Sequence, residues 1–138
     1  MNTIKLKDLF VAITLIAAEA TTSIAYGDSP LDECYALTGF EVNSCLAKKS
    51  AEIQKGFDKK RQEFIKDQRD QYGNAAHEKA FIKAEREANK VWRESIPKEC
   101  ELQALLGGEL NSPAYGAEHS ACIYNSYYNR IRMFEPQL

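Results

Sequence analysis

The stretch Ala88-Asn89-Lys90-Val91-Trp92-Arg93-Glu94-Ser95-Ile96-Pro97-Lys98-Glu99-Cys100 decides how this chain is read. It holds the single tryptophan, eight residues ahead of the third of four cysteines. Phe81, Ala84, Ala88, Val91 and Trp92 recur at helical spacing and predict an amphipathic helix from about Ala75 to Ser95. Pro97 lacks an N–H and clashes with the preceding turn, so it should kink or end that helix near Trp92. Helical patterning resumes from Lys98 to Leu106, and Gly107-Gly108 breaks it.

Working outward, Val42, Cys45, Leu46, Ile53, Phe57 and Phe64 fall on one face of a long helix predicted over Glu41 to Gln71. Tyr72-Gly73-Asn74 is a turn. Two amphipathic helices joined this way form an antiparallel hairpin. Ahead of it, Ser29-Pro30-Leu31-Asp32-Glu33 reads as a helix start, with a capping serine, a proline suited to the first turn, and acids at the positive end of the dipole. That short helix, about two turns ending at Gly39, carries Cys34. Beyond the glycine pair, Ser112-Pro113 opens a last helix to about Met133, whose stripe is Ala117, Ala121, Tyr124, Tyr128 and Ile131. No segment reads as a strand. The expected fold is all-α, a small helical bundle built on a long hairpin.

The first 25 or so residues have the pattern of a secretory signal peptide. Lys5 and Lys7 precede the apolar run Leu9 to Ala18, which is too short to span a bilayer, and Ser23-Ile24-Ala25 offers cleavage before Tyr26. No cysteine ends the apolar run, so no lipid anchor is expected. The domain is then 26–138, periplasmic or secreted, with no membrane span after cleavage. In that compartment Cys34, Cys45, Cys100 and Cys122 read as two disulfides. Three pairings are permitted, and topology favours the local pair Cys34–Cys45 with Cys100–Cys122. Each closure is worth about 3 kcal/mol in the chain-entropy model. The spacings lack the close pairs of a zinc site, and no cofactor or metal is expected.

Net charge is −2, so the chain is not a nucleic-acid binder by composition. The distribution says more: residues 26–44 hold Asp28, Asp32, Glu33 and Glu41 and no basic residue, whereas residues 45–72 are rich in lysine and arginine. Carboxylates such as Glu63 and Asp67 sit among lysines as on a solvated helix face. His77 reads as a loop residue and His119 as a surface residue of the last helix, and no serine or cysteine nucleophile has a recognisable partner; an enzyme is not expected. Two groups are candidate partner-binding residues. Tyr124, Tyr127 and Tyr128 with Arg132 crowd the last helix, and Tyr127 falls off the stripe of the other two, the composition of a protein-binding patch. Lys59, Lys60 and Arg61 form a basic run suited to an acidic partner.

Two cysteines about a dozen residues apart, a long helix, a tryptophan followed at eight residues by a third cysteine, and a fourth cysteine opening a helix with an arginine form an ordered set. Here they are Cys34, Cys45, Trp92, Cys100, Cys122 and Arg130. The set resembles the lysozyme inhibitor LprI-like family of small exported bacterial domains. The tyrosine-arginine pair that the family places after the tryptophan is replaced by Ser95-Ile96. The resemblance implies a helical, disulfide-bonded binding protein that inhibits a lysozyme. The alternative is an interaction or adaptor module of an envelope or secretion assembly. The target, the class of lysozyme and the oligomeric state are not legible.

Overall fold

The computed structural model describes residues 29–135; the expected signal peptide, residues 1–25, and its cleavage point lie outside them. The fold is all-α: α1 (Asp32–Tyr35), α2 (Phe40–Tyr72), α3 (Ala75–Gly107) and α4 (Pro113–Arg132). Helices α2 and α3 each run 33 residues, roughly 50 Å at 1.5 Å per residue, and make a long antiparallel hairpin.

Local chemistry sets the boundaries. Gly73 takes a left-handed conformation (φ 51°) at the C-terminus of α2, where a side chain would be strained. Asn74 then caps α3, its Oδ1 accepting from the N–H groups of Ala76 (3.0 Å) and His77 (3.1 Å). Ser112 caps α4 by accepting from Tyr115 N–H (3.1 Å), with Pro113 in the first turn, the serine-proline start its sequence predicts. The same signal at Ser29 yields less: α1 is a single turn of four residues, shorter than the expected two.

Both local disulfides are present. Cys34–Cys45 ties α1 to the start of α2, and Cys100–Cys122 ties α3 to α4; the Cα atoms are 5.4 Å apart in each.

Of the two outcomes expected at Pro97, a kink or an end, the end does not occur. The helix passes through it to Gly107. Pro97 is exposed, while Ile96 and Cys100 on either side of it are buried in one cluster, and that packing offsets a cost of about 3 kcal/mol for an interior proline. The apolar stripe of α3 is also rotated from its expected place. Ala84, Ala88 and Val91 are exposed, and the inward positions are Phe81, Glu85, Asn89, Trp92, Ile96, Cys100 and Ala104.

Helix α4 lies along both arms of the hairpin and packs more extensively against each than they pack against each other. It therefore has two inward stripes. Ala121 and Tyr124, with Ala117 and Tyr128, meet Leu31, Cys34 and Leu46. Cys122 and Tyr127, with Ile123 and Ile131, meet Phe57, Ile96 and Cys100. Phe134, just past α4, stacks on Phe64 with centroids 4.8 Å apart. Gly56 has open space where a side chain would stand, so no helix approaches there.

Candidate binding surface

Four residues of the ordered set, Trp92, Cys100, Cys122 and Arg130, meet around Phe57, while Cys34 and Cys45 belong to the other core cluster. Phe57 is ringed by Trp92 (5.0 Å between centroids), Tyr127 (5.1 Å, edge-on) and Phe134 (5.7 Å). The Arg130 guanidinium lies 5.4 Å from the Trp92 ring centroid, a cation–π contact. Cys100 and Cys122 belong to the same cluster. Trp92, Arg130 and this disulfide thus form an internal hub that fixes α4 onto the hairpin.

The candidate tyrosines are mostly part of that interior. Tyr127, off the single stripe that periodicity draws, is 9% exposed because α4 packs on two sides. Tyr124 is buried and stacks on Tyr128 with centroids 5.9 Å apart; burial pushes its hydroxyl pKa up, against a smaller opposing pull from Lys49. Tyr128 is half-buried, with the Arg132 guanidinium 6.0 Å from its ring centroid. Only Tyr128 and Arg132 of that group offer outward surface.

The basic run also divides. Lys59 and Lys60 are exposed and flank Glu63, each 3.9 Å from it. Arg61 turns inward and donates from Nε (2.6 Å) and Nη2 (2.5 Å) to the two oxygens of Glu85. The Glu85 hydrogen bond raises the Arg61 pKa further, against burial, and the side chains are 16% and 8% exposed. This pair stands in a groove of about 760 Å³ between α2 and α3, also lined by Ile65, Arg69, Ile82, Asn89 and Arg93. Arg69 pairs with Glu78 (2.5 Å) and Arg93 with Asp58. Arg61, Arg69 and Arg93 thus each face a carboxylate, while Arg86 and Lys90 also line the groove. Asn89, 7% exposed, leaves its Oδ1 without a hydrogen-bond partner there, as does Arg93 its Nε. A water could satisfy both.

A different surface stands at the opposite end of the hairpin from its turn. The start of α2, the end of α3 and the start of α4 meet there. Asn43 Nδ2 donates to the Pro113 carbonyl (2.9 Å), and a Cβ on Gly107 would stand 2.5 Å from Glu118 Cγ, so a side chain there would require that of Glu118 to move. Six large apolar side chains are exposed around this junction: Tyr35, Leu37, Phe40, Leu105, Leu106 and Leu110, with Phe40 and Leu106 each 82% exposed. Between Ser29 and Ala47, and between Glu99 and Asn129, there is no lysine or arginine. The charges in these two segments are Asp32, Glu33, Glu41, Glu99, Glu101, Glu109 and Glu118. The Tyr35 hydroxyl registers this field: burial, then Glu118 and Asp32, push its pKa up. Glu33 alone of these acids has a cationic partner, Lys49.

Part of the acidic character of this surface, at Asp32, Glu33 and Glu41, is legible in the sequence. The apolar half is missed. Leu102, Leu105 and Leu106 straddle Ala104, the one buried residue of the last turn of α3, and leucines flanking so small an inward residue are the signal that could have found it. Among the described residues no helix is long and apolar enough to cross a membrane, and no three His, Cys, Asp or Glu side chains are placed to hold a metal ion. Comparison with known protein families, curated proteins and solved structures finds no match to this chain.

Proposed function

We propose that this chain is an exported binding protein that inhibits a lysozyme by protein–protein contact. The observation that carries the reading is the segregation of charge. One end of the molecule offers carboxylates with no lysine or arginine in its flanking segments, while exposed Lys59 and Lys60 stand along the hairpin arm. Lysozymes are often cationic outside and carry catalytic carboxylates in the cleft. An inhibitor therefore needs acids to meet the rim and a donor for the cleft, and complementary fields speed encounter and fix orientation. The ordered cysteine, tryptophan and arginine positions support the same reading through the resemblance: Trp92, Cys100, Cys122 and Arg130 hold α4 to the hairpin, and Cys34–Cys45 holds α1 to it. Two disulfides are consistent with an oxidising compartment.

The test is inhibition of lysozymes of several classes by the purified, oxidised protein, with a reduced sample as control. Near-stoichiometric inhibition that is lost on reduction and weakens with salt is the expected result. No inhibition of any class by a folded, oxidised sample overturns the reading and leaves an envelope adaptor in its place. The aromatic surface of α4 lends that adaptor little support, because Tyr124 and Tyr127 face inward.

A further inference from the structure

The exposed apolar side chains at the doubly cross-linked end have no role in the fold. Leu106 and Phe40 are each 82% exposed and Leu110 61%, while the exposed Tyr72, Val91 and Met133 lie scattered elsewhere along the chain. Single exposed leucines are ordinary; a group of them at one junction, among carboxylates, marks an interaction site. The surroundings specify the occupant. Asp32, Glu41, Glu101, Glu109 and Glu118 make the rim acidic, so a second copy would bring like charges together. A partner with apolar side chains set among lysines and arginines satisfies both features. The platform is rigid in advance: Cys34–Cys45 fixes α1 beside Phe40, and Cys100–Cys122 fixes the turn of α3 that leads to Leu105 and Leu106. Little ordering is left to oppose binding.

We propose that this end of the bundle, centred on Phe40, Leu105, Leu106 and Leu110, is the docking face for a cationic amphipathic polypeptide surface. The proposal rests on the reading of the chain as a binding protein and names the face and the partner chemistry. The basic partner is steered in by the carboxylates and anchored by burial of the leucines and Phe40. The α2–α3 groove, with its own ion pairs, takes no part.

The experiment uses the oxidised protein as recovered from an exporting host, with three synthetic helices of about 18 residues as probes. One is built of leucine and lysine, one of serine and lysine, one of leucine and glutamate. The leucine–lysine helix is expected to bind and to shift the amide signals of Tyr35, Phe40, Leu105, Leu106 and Leu110. Changing Leu106→Ser together with Leu110→Ser should weaken it about tenfold, and Glu101→Gln with Glu109→Gln should flatten its salt dependence. Lys59→Ala with Lys60→Ala should leave it unchanged. Equal binding of the serine–lysine helix, or of the leucine–glutamate helix, overturns the proposal. So do shifts confined to the hairpin arms, self-association abolished by the leucine changes, or the same signals moving when residues 1–28 are removed. Lysozyme inhibition undiminished by the leucine changes would keep the lysozyme reading and overturn this face. Binding of the leucine–lysine helix without inhibition of any lysozyme would do the reverse.

Discussion

Tyr127 meets Phe57 edge-on at 5.1 Å and Trp92 at 5.0 Å, so its ring closes the lower cluster. Tyr127→Ala should cost about 3–5 kcal/mol, as for other large aromatic truncations, while Tyr128→Ala, one residue on and half-buried, should cost well under half of that. Urea denaturation of the two variants checks the contrast. The Arg61–Glu85 pair makes a second prediction. Glu85→Ala leaves a guanidinium largely buried without its carboxylate and should destabilise by about 3 kcal/mol, whereas the double change Arg61→Met with Glu85→Leu should recover most of the loss. Melting of the single and double variants decides it. These are also the residues that sequence reading misplaces. Periodicity assumes one inward face per helix, which fails for Tyr127 on a helix seated against two partners. It also treats charge as solvated, which fails for Glu85, Asn89 and Arg93 on the inner side of α3.

At the scale of elements, the long helices and their caps are legible because each end has local chemistry of its own: Gly73 and Asn74 at the turn, Ser112 and Pro113 before α4. The passage of α3 through Pro97 is not, because local propensity disfavours it and the packing of Ile96 and Cys100 on elements remote in sequence favours it. The two disulfides were within reach because topology favours short loops, and they invite a direct comparison. They close separations of 11 and 22 residues, and each doubling of a loop adds about 0.6 kcal/mol of closure entropy. The Cys100→Ser, Cys122→Ser variant should therefore lose about 0.6 kcal/mol more than the Cys34→Ser, Cys45→Ser variant, from a base of about 3 kcal/mol. Denaturant midpoints of the pair of variants measure the difference.

For the molecule as a whole, the opposition between an acidic apolar end and a basic hairpin arm sets its response to pH. Lys49 holds the Glu33 carboxyl below its ordinary range, and Glu33 holds the Lys49 amine above its own. The Glu33 contribution is present above its unfolded pKa of about 4.3 and is lost as pH falls through the lower folded value. The Lys49 contribution is present below about 10.4 and is lost as pH rises through the raised folded value. The pair is open to solvent, so the effect is small and screened by salt. Glu33→Gln should melt slightly below the parent at neutral pH and coincide with it near pH 2; a gap that persists in acid would contradict this. The acidic segment was visible in the sequence, but its meeting with the leucines of α3 was not, since that depends on the start of α2 at Phe40 and the end of α3 at Gly107 reaching the same level of the bundle. The seating of α4 also has a kinetic meaning. Both core clusters draw residues from α4, so a chain growing from its N-terminus holds two finished long helices with uncovered stripes until Tyr124 and Tyr127 arrive. A chain stopped at Ser112 should show helical circular dichroism and close Cys34–Cys45, yet melt without a cooperative transition. The cooperative core of this protein is then expected to close late, when its fourth helix is laid down over both clusters.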